Sequence, residues 1–236
     1  MRIITLILVF AGLAYAGDGK KLANSVRLDG EKVKVYWSDG DSFAVRSGRH
    51  KNTKVRLMGY NTLESFGPVH SWGEWTGFEL YKMQKEGTYF ARSRVWNCKS
   101  SGERDHYKRL LVRCDDLVLA MVAEGFGHVF EMPGGKANAK DMEAQKAAIA
   151  AKKGMWAKGV PKGIVTSLHS KAEREDAKTA YNRVADPLTG MTRKVEHTEK
   201  YEICQKVCVD GSCMVYVPFK QRYGKNRAKC LWLKKD

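Results

Sequence analysis

Residues 35–45 read VYWSDGDSFAV. Val35-Tyr36-Trp37 and Phe43-Ala44-Val45 are two β-prone runs, and Ser38 to Ser42 lie between them. Asp-Gly between two such runs is a strong hairpin signal, because glycine tolerates the positive φ that tight hairpin turns demand. Two carboxylates flank that glycine, Asp39 and Asp41. A second reading is therefore open beside the plain turn: one of them is held ready for a cation.

Outward from this hairpin, Lys32 to Tyr60 reads as strands. In NTKVRLMGY (52–60), Val55 and Leu57 share a face while Arg56 points the other way. The period then changes. Ser71-Trp72-Gly73-Glu74 has the form of a capping box, and predicts a helix through Trp75, Phe78, Leu80 and Met83, stopped by Gly87. YFARSRVWNC and YKRLLVRC predict two more strands joined by the polar loop KSSGERDH. Asp115 or Asp116 caps a short helix, LVLAMVAE, and NAKDMEAQKAAIAAKKG forms a third, with Trp156 just beyond it. This order predicts an α+β fold: a small antiparallel barrel with about three packed helices over residues 31–159. Residues 160–200 read as a polar, partly helical linker in which PLTGMT is a turn. Residues 201–236 form a Cys-rich C-terminal module.

The first residues, MRIITLILVFAGLAYAGDG, combine Arg2, an apolar run from Ile3 to Leu13 and the small-x-small pattern Ala14-Tyr15-Ala16. They predict a secretory signal peptide over residues 1–16 and a secreted or periplasmic product. The apolar run is too short to span a bilayer, so no membrane insertion is expected after cleavage. In an oxidising compartment Cys98, Cys114, Cys204, Cys208, Cys213 and Cys230 are disulfide candidates. The last four lack the paired Cys-x-x-Cys knuckles of common zinc folds. Cys98 and Cys114 would meet if their strands form a hairpin; the pairing in the tail stays open.

Lys and Arg number 42 against 26 Asp and Glu, a formal net charge of +16. Such a chain concentrates polyanions around itself: nucleic acid, anionic lipid or acidic glycans. No long Lys/Arg helix with an apolar face singles out a membrane surface.

The groups suited to chemistry fall into three segments: Asp41 at the first turn, Arg56 through Glu64 around the third strand, and Asp105, Tyr107 and Arg109 before a later one. In that order and spacing the chain resembles the staphylococcal nuclease (thermonuclease) family from about Val33 to Trp156. The family's Asp-Gly-Asp-Thr appears as Asp39-Gly40-Asp41-Ser42. Its Arg-Leu-x-x-x-Asp-x-Pro-Glu appears as Arg56-Leu57 through Asn61, Thr62, Leu63 and Glu64, and its Asp-x-Tyr-x-Arg as Asp105 to Arg109. The resemblance implies a five-stranded OB-fold barrel and a Ca²⁺-dependent endonuclease, monomeric, that cleaves DNA and RNA to 3′-phosphate ends. It implies one Ca²⁺ at Asp41, Asn61 and the Thr62 carbonyl, Glu64 as general base, Arg56 and Arg109 on the scissile phosphate, and Tyr107 and Lys108 in substrate binding. General chemistry suits these roles, since guanidinium forks and a hard dication both stabilise the charge that builds on phosphorus.

The chain also departs from the family. Asn61 stands for a second metal-binding aspartate, which lowers the expected cation affinity. Leu63 replaces a proline, which loosens the loop that carries Glu64. FEMPGG places Phe130, Glu131 and Pro133 where the family has substrate-stacking tyrosines. Three rival readings follow: a non-catalytic, basic nucleic-acid-binding barrel; a His-metal nuclease using His106, although the histidines show no His-x-x-x-His pair; and a tail acting as a cationic adhesion or inhibitor module.

Overall fold

A computed structural model of the protein describes residues 22–173 and 176–232; the expected signal segment lies outside the described residues. Strands β1 (Ser25–Leu28), β2 (Glu31–Trp37), β3 (Ser42–Val45) and β4 (Lys54–Leu57) form an antiparallel meander. There follow β5 (Gly59–Asn61), β6 (His70–Trp72), α1 (Gly77–Ala91), β7 (Asn97–Arg104), β8 (Leu110–Arg113), α2 (Asp115–Ala123), β9 (His128–Phe130) and α3 (Ala139–Ala150). The barrel closes in the order β1-β2-β3-β4-β8-β7. It therefore has six strands, not the expected five, and it is not antiparallel throughout, since β1 meets β7 and β4 meets β8 in parallel.

The additional strand has a local cause. Leu28 pairs with Glu31 across Asp29-Gly30, whose φ values are 49° and 86°. This is the Asp-Gly hairpin turn with two left-handed residues. β1 thus lies before residue 31, outside the expected domain range.

Alternation fills the barrel. Val33, Val35, Trp37, Phe43, Val45, Val55 and Leu57 point inward, and α2 adds Leu117, Val118, Met121 and Val122 to the same core. Each such side chain contributes about 1.5–3 kcal/mol on full burial. Cys98 and Cys114 are bridged one step beyond the pair Lys99–Arg113, as the hairpin reading allows.

Two helix boundaries differ from expectation. Ser71 does not cap a helix; it lies in β6, which pairs with a strand near the C-terminus. The capping box is Thr76 with Glu79, each accepting from the other's backbone N–H (3.2 and 3.0 Å). The helix also runs past Gly87 to Ala91 and takes up Tyr89 and Phe90, which were expected in a strand. Gly87 is a packing site, since a Cβ there would lie 3.1 Å from the Cβ of Phe126. At α2, Asp115 and Asp116 sit in the first turn and Cys114 is the N-cap, with no side-chain cap bond. Their charge still favours the helix N-terminus.

Residues 160–200 have mainly strand as their regular structure, with one 3₁₀ turn at Lys171–Glu173, and are not the expected polar, partly helical linker. They hold β10 (Ile164–Ser167), β11 (Ala180–Ala185) and β12 (Thr192–His197) in one antiparallel sheet, with the Asp186–Met191 turn between the last two as PLTGMT predicts. On the outer face of β11 and β12 Lys194 and Arg183 stack on Tyr181, while Asn182 and Thr192 are buried. Gln145 of α3 ties this sheet to the barrel domain, accepting from Val129 N–H and donating to the Pro187 carbonyl, both 2.6 Å.

In the tail, β13 (Lys206–Val209) and β14 (Ser212–Val215) form a hairpin, and β14 pairs with β6. Cys204–Cys230 and Cys208–Cys213 complete three disulfides, and no cysteine is free. The tail does not hold itself together by bridges alone. It shares an apolar cluster with Phe66 and Val69 of the barrel domain and Val165 and Val184 of the β10–β12 sheet. Among the described residues no helix is long and apolar enough to cross a membrane.

Candidate active site

The loop between β2 and β3 delivers Asp41, which is 4% exposed. Thr62 N–H donates to one carboxylate oxygen at 2.8 Å, and Arg56 forms an ion pair with the other. Gly40 is not in the left-handed region, so the positive φ expected of it is absent. Its role is close approach: a Cβ there would lie 2.8 Å from Thr62 Cγ2 and 3.0 Å from Met121 Cε. A side chain at 40 would push Thr62 off Asp41. Gly40→Ala is expected to cost about 1–3 kcal/mol by overpacking, read as a fall in the urea midpoint with m unchanged.

Burial opposes ionisation of Asp41, but Arg56 and the Thr62 N–H together hold its carboxyl below the usual range. Asp39 behaves in the opposite way. Burial, then the charge of Asp41, pushes its carboxyl well above the ordinary value. Asp39 is a turn residue: it accepts from Ser42 Oγ at 2.6 Å and from Asp41 N–H at 3.2 Å.

Arg56 leaves the outer face of β4, opposite Ser42. Besides Asp41 it donates to the Asn61 side-chain oxygen, and its guanidinium lies 5.8 Å over the Phe130 ring. Asn61 Nδ2 in turn donates to the Thr62 carbonyl at 2.9 Å. The three expected cation ligands are thus brought together, and all are hard oxygens suited to Ca²⁺. Asp41 and the Asn61 oxygen both meet the guanidinium of Arg56, the Thr62 carbonyl meets Asn61 Nδ2, and only Asp41 carries a charge. Among the described residues there is no cluster of three or more His, Cys, Asp or Glu placed to hold a metal.

Arg109 reaches the same side by the parallel pairing of β4 with β8, in which Arg56 stands opposite Leu111. Leu110 and Val112 point inward, so Arg109 and Leu111 lie on the outer face with Arg56. Asp105 sets the Arg109 fork: one oxygen accepts the N–H groups of Tyr107 (3.0 Å) and Arg109 (2.9 Å), and the other accepts Arg109 Nε at 2.7 Å. Among the described residues no hydrogen bond or ion pair engages the Arg109 Nη groups. Tyr107 is exposed, with the Arg109 guanidinium 5.5 Å over its ring. Lys108 is exposed at φ 63°, in the same turn. His106 stacks on Tyr107, 3.7 Å between ring centroids.

Glu64 is half-buried on the loop after β5. Its N–H donates to His70 Nε2 at 3.2 Å; burial, with a smaller effect from His128, lowers His70 to about 3, so its ring is a neutral acceptor. Among the described residues no hydrogen bond or ion pair engages the Glu64 carboxylate. Burial raises its carboxyl above the usual range. The charges acting on it are, in order, Arg222, Asp41, Arg56 and Arg109; the arginines pull it down and Asp41 pushes it up. Asp41, Arg56 and Arg109 are thus all close enough to Glu64 to act on its charge.

Leu63 packs this loop onto the core. It is buried among Trp72, Leu80 and Trp156. Lys85 Nζ donates to the Ser65 carbonyl at 3.3 Å, and Arg227 Nη2 to the Phe66 carbonyl at 2.8 Å. Sequence reasoning missed Arg222, whose guanidinium lies 4.7 Å over Phe66, and Tyr223, 6.3 Å from the same ring. It also missed His128, paired with Asn61 across β5 and β9 and lowered by burial to about 4. The available signal for the first two was the basic and aromatic alternation PFKQRYGKNR (218–227). A scan against protein-family models finds no match to this chain, and a search of curated proteins finds none either.

Proposed function

We propose that the protein is an endonuclease of the staphylococcal nuclease type, built on an OB-type barrel, that hydrolyses phosphodiester bonds of DNA and RNA to 3′-phosphate products. One observation supports this most: an unbonded, half-buried carboxylate, Glu64, shares its neighbourhood with two guanidiniums, Arg56 on β4 and Arg109 just before the adjacent β8. A phosphodiester seated between the arginines meets fixed donor forks where negative charge accumulates. Glu64 takes a proton from a water whose oxygen bonds to phosphorus. The bond from phosphorus to the 5′-oxygen breaks, that oxygen takes a proton from solvent, and the phosphate stays on the 3′ side.

Asp41, Asn61 and the Thr62 carbonyl would hold the Ca²⁺, which when bound supplies charge neutralisation at a phosphate oxygen. Because Asn61 brings no charge, Asn61→Asp is expected to tighten Ca²⁺ binding by about tenfold or more, as ligand charge count tunes such sites over decades. Calorimetric titration of the substrate-free protein reads this directly. Equal affinity in both proteins would remove residue 61 from the ligand set.

Incubation of plasmid and RNA with the protein, in Ca²⁺ or in EDTA, tests the reading. Fragments with Ca²⁺ alone are expected. Intact substrate with a retained gel shift would instead assign the non-catalytic binder, a reading favoured by the pairing of Arg56 with Asp41 and Asn61.

The acid limb of the pH profile carries a second test. A general base works only when ionised, and burial raises the Glu64 carboxyl. Activity is therefore expected to fall with decreasing pH at a higher pH than an ordinary glutamate would give. Arg222 is the strongest charge pulling that carboxyl down. Arg222→Met should move the limb of kcat/KM to still higher pH; an unmoved limb would count against Glu64 as the base.

A further inference from the structure

The segment Val217–Trp232 carries five Lys or Arg residues and no Asp or Glu. Three aromatic side chains project from it into solvent: Phe219 (74% exposed), Tyr223 (57%) and Trp232 (57%). Large apolar rings left outside a core, interleaved with cations, are the composition of a surface that stacks bases and tracks a phosphate backbone.

Its place in the fold gives this composition a direction. The β14–β6 pairing and the Cys204–Cys230 bridge fix the tail beside the loop that carries Glu64. Phe66, two residues beyond Glu64, is covered by Arg222 on one side and meets Tyr223 edge to face. Phe219 continues the row, with its ring centroid 6.5 Å from that of Tyr223. Arg222 Nε donates to the Val217 carbonyl at 3.0 Å, and of the surrounding charges Arg222 acts most strongly on Glu64.

We infer that the C-terminal module forms one wall of the substrate groove, on which Tyr223 and Phe219 stack unpaired bases of a single-stranded polynucleotide while Arg222 takes a phosphate next to the scissile one. The inference rests on the nuclease reading for its orientation. Paired bases offer no free face to such a wall, so single strands are the class it fits. The platform lies in a different part of the chain from FEMPGG, where no stacking tyrosines stand.

The test uses the full chain in EDTA, with a labelled oligothymidylate and an abasic oligomer of equal phosphate number. Tyr223→Ala is expected to weaken oligothymidylate binding by about tenfold or more, as base–aromatic stacking does. The abasic affinity should be unchanged, and Tyr223→Trp should restore the loss. Arg222→Gln should weaken both ligands and lower the salt slope by about 0.7, the value for one phosphate contact on a single strand. Equal affinity of Tyr223→Ala and wild type for oligothymidylate, or equal loss on both ligands, would overturn the inference. A wild-type protein that cleaves plasmid and RNA yet ignores residue 223 overturns the platform alone. One that binds through Tyr223 but never cleaves supports the platform and overturns the catalytic reading.

Discussion

Glu64→Gln is expected to lower kcat by about 10²- to 10⁴-fold, the usual worth of a positioned general base, with little change in oligonucleotide affinity. The amide keeps the shape of the side chain and cannot take a proton from water. It is also expected to leave the protein equally stable or slightly more so. The folded state raises the Glu64 carboxyl by burial, which means that folding disfavours its charged form, and a neutral isostere removes that cost. Lost turnover with retained or improved thermal stability is the pattern of a group kept for chemistry. A variant that loses binding and stability together would show Glu64 to be structural. His106→Ala is the control: His106 stacks on exposed Tyr107 beside Arg109, so a loss equal to that of Glu64→Gln would shift the reading to histidine-based hydrolysis.

Much of this site could be read from the sequence because its residues lie on short elements whose spacing survives folding. Asp41 follows a strand end, Arg56 lies on the outer face of a strand recognisable from Val55 and Leu57, and Asp105 sets Arg109 within one turn. Such relations are local, and local pattern reports them. What the sequence concealed depends on partners far along the chain. Ser71 has the form of a cap but becomes a strand residue because β14 pairs with it. β11 looks like solvated polar sequence because its apolar positions are few, yet Ala180, Val184 and Ala185 bury against distant elements. Arg222 could not be assigned to Glu64 from spacing, since only the tail's pairing with β6 brings it there. Of the two Asp-Gly pairs, Asp29-Gly30 makes the left-handed turn. Asp39-Gly40 lacks a side chain at 40 so that Thr62 can reach Asp41.

Arg56 and Arg109, equivalent in the proposed chemistry, are expected to separate when stability is measured. Arg56→Gln and Arg109→Gln should each lower kcat/KM by about 10²- to 10³-fold, the range for removing one donor to developing charge. Arg56 is also the countercharge of buried Asp41. Without it Asp41 keeps only neutral hydrogen-bond partners, the Thr62 N–H and the Asp39 carboxyl, and breaking such a buried pair costs about 3–5 kcal/mol. In the wild type the lowered Asp41 carboxyl contributes stability that is present above its unfolded pKa and is lost as pH falls through the folded value. In Arg56→Gln burial, the largest effect, is opposed only by the Thr62 and Asp39 hydrogen bonds, and the Asp41 carboxyl is expected to rise above its unfolded value, so the sign reverses and acidification lessens the penalty. Urea denaturation at neutral and at mildly acidic pH reads this: the gap between variant and wild type should narrow on the acid side. Arg109 differs because Asp105 is only partly buried and keeps its bonds from the backbone N–H groups of Tyr107 and Arg109. Its loss should cost under about 1 kcal/mol, as for exposed pairs. If both variants lose activity while Arg56→Gln keeps full stability at neutral pH, then Asp41 does not depend on Arg56 for its charge, and its carboxylate is free for a cation in the way the sequence pattern first implied.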